Sequence, residues 1–235
     1  MPRLARNSPG GLIYHVLNRA AGRATLFRHD EDYAAFMRVF ADVLEEVPVR
    51  VCGFCLMPNH WHLVLWPRKD GELAKFMQRL TITHVRRWVE HRNRRGQGSV
   101  YQGRYKSFPM QDDDHFRTVL RYVERNPLRT GKVKRAQDWR WSSLGQTHAP
   151  IDAEVGEDGE AGIARVPLAK WPVPRPRNWV DRVNRPQTPA EEEAIRLATT
   201  RGRPFGDPRW TRKTESLLKL PPLRPRGRPV KDDAK

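Results

Sequence analysis

The chain has 235 residues, 38% of them hydrophobic, enough for one core with appendages but not for several independent domains. Two cysteines exclude a disulfide scaffold, and no apolar run approaches the ~20 residues that a membrane-spanning helix needs. The 44 Lys+Arg against 27 Asp+Glu give a net charge of +17, which argues for a polyanionic partner, nucleic acid first, although a ribosome-like or simply soluble basic protein has the same balance.

Residues 1–6 are basic with no apolar stretch behind them, so no secretory leader is read and a cytoplasmic, nucleoid-associated chain is expected. Residues 12–17 (LIYHVL) suit a pleated strand. From Asp30, a candidate cap, Tyr33, Phe36, Met37, Phe40, Val43 and Leu44 recur at intervals of three and four, one apolar helix face. Residues 49–57 and 60–66 are β-rich runs separated by Pro58-Asn59, which predicts an antiparallel hairpin.

Helical spacing returns over residues 73–89 through Leu73, Phe76, Leu80, Ile82 and Val85, with Lys75, Arg79, Arg86 and Arg87 on the other face. A basic loop holding Arg94 and Arg95 follows, then a basic strand over residues 100–106 containing Arg104 and Lys106. Arg79, Arg86, Arg87, Arg94 and Arg95 could track phosphates or form an ordinary solvated face. Phe116, Val119, Leu120 and Val123 mark a further helix, with Asp112, Asp113 and Asp114 in its first turn and Pro127 as its expected stop. The order predicts an α+β fold: a split βαβ antiparallel sheet with helices on one face.

Composition changes beyond Trp141. We expect a main domain over 1–148, a linker or insertion over 149–200 with a helix near its end, and a basic tail over 201–235. The tail holds 11 Lys+Arg and 4 Asp+Glu, so 11 − 4 = +7, and includes Arg224, Arg226 and Arg228. It reads as an arm that orders only on nucleic acid.

His60-Trp61-His62 carries the most chemistry. Residues two apart in a strand share a face, so the two imidazoles stand side by side while Trp61 enters a core. The pair is either two metal ligands or two incidental surface histidines. Cys52 and Cys55 could join them in a structural zinc module, but three residues apart on a strand puts the cysteines on opposite faces, and the His spacing is short for such a site. Small-residue packing suits the cysteines better. Tyr122 and Asn126, four apart, share one helix face; they are a core aromatic and a cap, or a nucleophile beside a third ligand.

Taken together, Met57-Pro58-Asn59-His60-Trp61-His62-Leu63-Val64, the Tyr101-Gln102-Gly103-Arg104-Tyr105-Lys106 stretch, Arg121-Tyr122-Val123-Glu124-Arg125-Asn126-Pro127, Trp139-Arg140-Trp141-Ser142-Ser143 and the Arg-Pro-rich tail resemble the single-tyrosine HUH transposases (IS200-like), in particular the REP-associated tyrosine transposases. The resemblance implies a ferredoxin-like fold and cleavage and rejoining of single-stranded DNA through a 5′-phosphotyrosine. It makes Tyr122 the nucleophile and His60, His62 and Asn126 ligands of Mg²⁺ or Mn²⁺, although the family position matching Asn126 is often Gln. Arg104, Lys106 and the tail arginines would meet phosphates, and Tyr101 and Tyr105 would pack or stack on bases. The implied partner is a REP-like single-stranded DNA hairpin, met by a monomer or a homodimer. A non-catalytic hairpin binder on the same scaffold is the other reading.

Overall fold

In a computed structural model, residues 7–149 and 164–223 are described. Six elements make the main domain: β1 (Ile13–Arg19), α1 (Asp30–Glu46), β2 (Arg50–Met57), β3 (His60–Trp66), α2 (Glu72–His91) and β4 (Lys106–Met110). The sheet order is β2-β3-β1-β4, and every neighbouring pair is antiparallel. This is the expected split βαβ, ferredoxin-like arrangement. The last strand begins at Lys106, whereas the sequence suggested residues 100–106; Tyr101 makes only an isolated bridge to Ala20.

Alternation along the strands sorts the core into two layers. Phe54, Leu56, Trp61, Leu63 and Leu65 face α1 and α2, whose periodic residues Phe36, Phe40, Phe76 and Leu80 are fully buried against them. Acidic residues fill the first turn of α1, and the Asp32 carboxylate accepts the backbone N–H groups of Arg28 and His29, which fixes the helix start. Ile82, counted with the apolar face of α2, is instead 57% exposed, because a two-residue step from Leu80 turns it well away from the core.

The expected helix layer is thus α1 and α2, but the opposite sheet face is also covered. There α3 (Asp114–Arg129) lays Phe116, Val119, Leu120 and Val123 against Ile13, Val64 and Phe108. Its start is capped by Asp113, whose carboxylate accepts the His115 N–H. Pro127 does not stop it: the fixed φ of proline is itself helical, and the helix runs on to Arg129 without the bond that an N–H at 127 would give the Val123 carbonyl.

Cys52 and Cys55 are both buried on this second face, contrary to the odd-spacing expectation. A register shift between Val51 and Gly53 inserts one residue into β2 and restores the parity of Cys55 with Cys52. Burial raises both thiol pKa values, Cys52 to about 12.

Later segments pack on α3. The buried Glu124 carboxylate accepts from Ser143 Oγ and Trp179 Nε1, each at 2.7 Å, joining α3 to α4 (Ser143–His148) and α5 (Trp179–Asn184). Arg125 donates to the carbonyls of Val183 and Asn184, and Arg121 to those of Arg185 and Pro186. That clamp leads into α6 (Pro189–Arg201), the helix expected near residue 200, started by a Thr188–Glu191 capping box. Phe205 then adds to the free edge of β4, and Ala169 donates to Val51 on the edge of β2. The start of the segment read as an arm holds a helix, α7 (Pro208–Leu217), because Asp207 accepts the N–H groups of Arg209 and Trp210. Among the described residues no helix is long and apolar enough to cross a membrane.

One buried polar chain sits in the first core. Trp61 Nε1 donates to Tyr101 Oη at 2.9 Å, and Tyr101 lies 2.7 Å from His84 Nδ1. Burial lowers the His84 pKa to about 3, with Asp32 opposing, so His84 is neutral and accepts the phenol proton. The unfolded chain takes up a proton near pH 6.5 and the folded chain does not, so stability is full above that pH and is lost as pH falls from about 6.5 toward 3. Each such group costs about 1.4 kcal/mol per pH unit at most. His84→Asn, which keeps an acceptor near Nδ1, is expected to flatten the fall of urea-unfolding free energy between about pH 6 and pH 4. An unchanged slope would show that His84 titrates alike in both states.

Candidate active site

His60 and His62 lie on β3 with their rings on the α3 side, centroids 5.0 Å apart, while Trp61 is fully buried on the other. The two-residue spacing thus gives the parity expected of it. Each Nδ1 is engaged by the protein. His60 Nδ1 sits 2.6 Å from Asn59 Oδ1, which only accepts, so this nitrogen carries the hydrogen and Nε2 keeps a lone pair. His62 Nδ1 sits 2.8 Å from Nε2 of His15, on β1, and its own Nε2 lies 2.8 Å from Asn126 Nδ2.

Tyr122, 8% exposed, meets His62 edge-on with centroids 6.0 Å apart. Arg129, one helical turn past Asn126 on α3, places its guanidinium 5.4 Å from the Tyr122 ring centroid and donates to Asn126 Oδ1 at 3.1 Å. Four residues separated by as many as 66 positions, His60, His62, Tyr122 and Asn126, therefore share one cavity of about 1040 Å³.

The walls from β1 and α6 were not anticipated. Arg19 and Asn18 come from β1, Arg23 from the turn after it, and Arg196, Thr199 and Thr200 from α6. Gln102, Arg104 and Lys106 close the remaining side. No lining residue is acidic, and the buried Arg19 Nε has no hydrogen-bond partner. A basic cavity with unspent donors favours a phosphate chain. The α6 contribution had a local signal in the Thr188-Pro189-Ala190-Glu191 cap, but nothing in sequence says where that helix docks.

The other proposed DNA contacts are scattered. Arg104 and Lys106 line the cavity. Arg79 and Arg87 do not: α2 packs on the opposite sheet face, where they pair with Glu46 and Asp42 of α1. Arg95 pairs with Glu90, and Arg94 donates to Gln97. Arg86 lines a separate groove between α2 and residues 98–105, together with Ile82 and Tyr105. Tyr101 is held in the first core by Trp61 and His84, as the packing role for it requires. Arg224, Arg226 and Arg228 lie outside the described residues.

Burial lowers the His60 pKa to about 3, helped by Arg19 and Arg129. Burial also lowers that of His62 well below the usual imidazole value, with His60, His15 and the same arginines adding to it. Both rings are neutral near pH 7 and free to offer lone pairs, a condition for cation binding. Asn126 presents its nitrogen to His62 and its oxygen to Arg129, so a half-turn of the amide would bring the oxygen to the His62 side with release of Arg129. Two imidazoles and one amide oxygen make a mixed N/O donor set that fits a divalent cation. Among the described residues no three His, Cys, Asp or Glu side chains are placed to hold a metal, which removes the Cys₂His₂ module.

Comparison with known proteins gives three findings. Residues 10–126 match a family model described as IS200-like transposase. A Haemophilus influenzae protein that carries the name REP-associated tyrosine transposase is 25% identical over 129 residues, 51% of this chain and 71% of that protein. A solved structure of a REP-associated tyrosine transposase bound to a REP hairpin superposes with a TM-score of 0.50 at 18% identity, covering 72% of this chain and all of the other. At that identity the superposition speaks for the fold.

Proposed function

Because this chain belongs, through residues 10–126, to the IS200-like transposase family, we propose that it cleaves and rejoins single-stranded DNA at REP-like hairpins through a covalent bond to Tyr122. The observation that carries this reading is the convergence of Tyr122 with two neutral imidazoles, each with its Nδ1 already engaged, in a basic cavity without an acid. The REP association is in the names of both similar proteins, and the hairpin in that of the solved structure.

A Mg²⁺ or Mn²⁺ ion held by His60, His62 and Asn126 would supply Lewis-acid polarisation of the target phosphate. The chain does the rest. Tyr122 Oη attacks phosphorus, the bond from phosphorus to the 3′ oxygen breaks, and the 3′ oxygen takes a proton as the phenol loses one. The free 3′-hydroxyl can reverse the step, so rejoining needs no external energy. The tyrosine is aimed by a helix that Glu124, Arg121 and Arg125 anchor at several points, which limits its reorientation cost. Arg19, Arg104, Lys106 and Arg129 surround the charge that develops on the phosphate.

End-labelled hairpin DNA with a single-stranded flank, incubated with the protein in Mn²⁺ or in EDTA and run on a denaturing protein gel, tests this. Label is expected on the protein in Mn²⁺ alone. Tight hairpin binding without label transfer would make the chain a binder that kept the scaffold and lost turnover. In the same system the exposed Arg104 should count as one phosphate contact. Arg104→Gln is expected to weaken hairpin binding and reduce the slope of log affinity against log salt by about 1. An unaltered slope would place Arg104 off the DNA.

A further inference from the structure

Four histidines are buried among the described residues, and His15 is the one that neither the core chain through Tyr101 nor the proposed ligand set explains. It stands on β1, 1% exposed, on the same sheet face as His62 because His15 pairs with Val64 and Leu17 with His62. The two rings stack with centroids 5.0 Å apart and planes 20° from parallel, and His15 Nε2 meets His62 Nδ1 at 2.8 Å. Phe108 from β4 packs at 5.0 Å from it.

The chain of partners fixes where the hydrogens lie. Asn126 Nδ2 only donates, so His62 Nε2 must hold the lone pair and His62 Nδ1 the hydrogen. His62 therefore donates to His15 Nε2, which leaves the hydrogen of His15 on its Nδ1. That Nδ1 is buried with no hydrogen-bond partner. A ring kept for packing alone would be an aromatic hydrocarbon such as Phe108, with no polar atom to bury unpaired. The unpaired nitrogen is what remains when a ring is held in place for the sake of its other nitrogen.

We propose that His15 is a positioning residue for His62: it accepts the His62 Nδ1–H, fixes that tautomer and ring orientation, and so keeps the His62 Nε2 lone pair turned to the cavity. This rests on the reading of His62 as a cation ligand, whose second nitrogen needs such a partner. Asn59 does the same for His60, so one member of the pair is set from the hairpin turn and the other from β1.

The full chain, ¹⁵N-labelled and metal-free, gives the test through long-range ¹H–¹⁵N spectra of the imidazoles, with His62→Gln to assign the signals. Wild type is expected to show His62 in the Nδ1–H form. In His15→Phe the Asn126 amide alone still favours that form, so it should become exchange-averaged, and Mn²⁺ affinity, read as free Mn²⁺ by electron paramagnetic resonance, should fall about 10–100-fold. His15→Gln, whose amide oxygen sits near the position of Nε2, should restore both. A His62 Nε2–H form in wild type, or an unchanged His62 tautomer in His15→Phe, overturns the proposal whatever the Mn²⁺ affinity does. If His15→Phe fails to fold, wild type and His15→Gln still decide it. Wild type that binds no Mn²⁺ removes the ligand reading, and with it the purpose assigned to His15, even where the tautomer spectrum shows the bond.

Discussion

Tyr122→Phe is expected to remove the covalent protein–DNA product, lowering its rate of formation by about 10⁴-fold or more, as loss of a nucleophile does elsewhere. The variant deletes one oxygen. The ring of Tyr122 is nearly buried among Val119, Val123 and His62, so its packing and its contact with Arg129 survive the change. Hairpin affinity should therefore stay close to wild type, because the basic lining that meets phosphate is untouched. A gel shift and a denaturing gel on the same labelled DNA separate the two quantities. Label that persists on the Phe variant would require another nucleophile. Tyr101 is a poor substitute, with its oxygen committed to Trp61 and His84 on the far side of the sheet.

His60→Ala is expected to cut strand cleavage by more than about 10²-fold, since even loss of a residue behind a metal ligand costs that order. Binding should again be nearly intact. The two variants differ in one useful respect: His60→Ala should also weaken Mn²⁺ binding, whereas Tyr122→Phe should not. In metal-free buffer the stability of the variant should also fall less steeply than that of wild type as pH drops below about 6.5. His60 has its folded pKa lowered to about 3, mainly by burial, so between about pH 6.5 and 3 the unfolded chain alone takes up its proton. Deleting the ring removes that acid-induced loss. Cleavage that survives in His60→Ala would dissolve the cation site and leave a metal-independent mechanism to find.

Local spacing made part of this site legible and long-range register hid the rest. His60 and His62 are two apart in a strand, and their shared face follows from the pleat alone. The same reasoning failed for Cys52 and Cys55, because one inserted residue beside Gly53 shifts the parity; a glycine inside a strand is the signal that this can happen. Tyr122 and Asn126 fall on one helix face by their spacing, yet nothing local says which strand that face meets. His15 is invisible for the same reason: its partner is 47 positions away, and only the β1–β3 register brings them together. Arg79 and Arg87 show the converse. Their periodicity marks a polar face, but the acids that occupy it belong to α1. The antiparallel sheet, its first helix layer and the helix α3 could be read from the order of elements, whereas the packing of α3 on the second face, and the docking of α5 and α6 from a stretch read as a linker with one helix near its end, could not.

The wall that α6 gives to the cavity also sets an order in time. A ribosome delivers β1, the histidine strand and the tyrosine helix first, and Arg196, Thr199 and Thr200 last among the residues that line the site. At about 5–20 residues per second, the stretch from Tyr122 to Thr200 takes on the order of ten seconds to make. During that interval Tyr122, the proposed nucleophile, exists while one side of its cavity is open. If the proposed cleavage needs that wall, synthesis would delay it until α6 has docked behind the segment 183–186 that Arg121 and Arg125 hold.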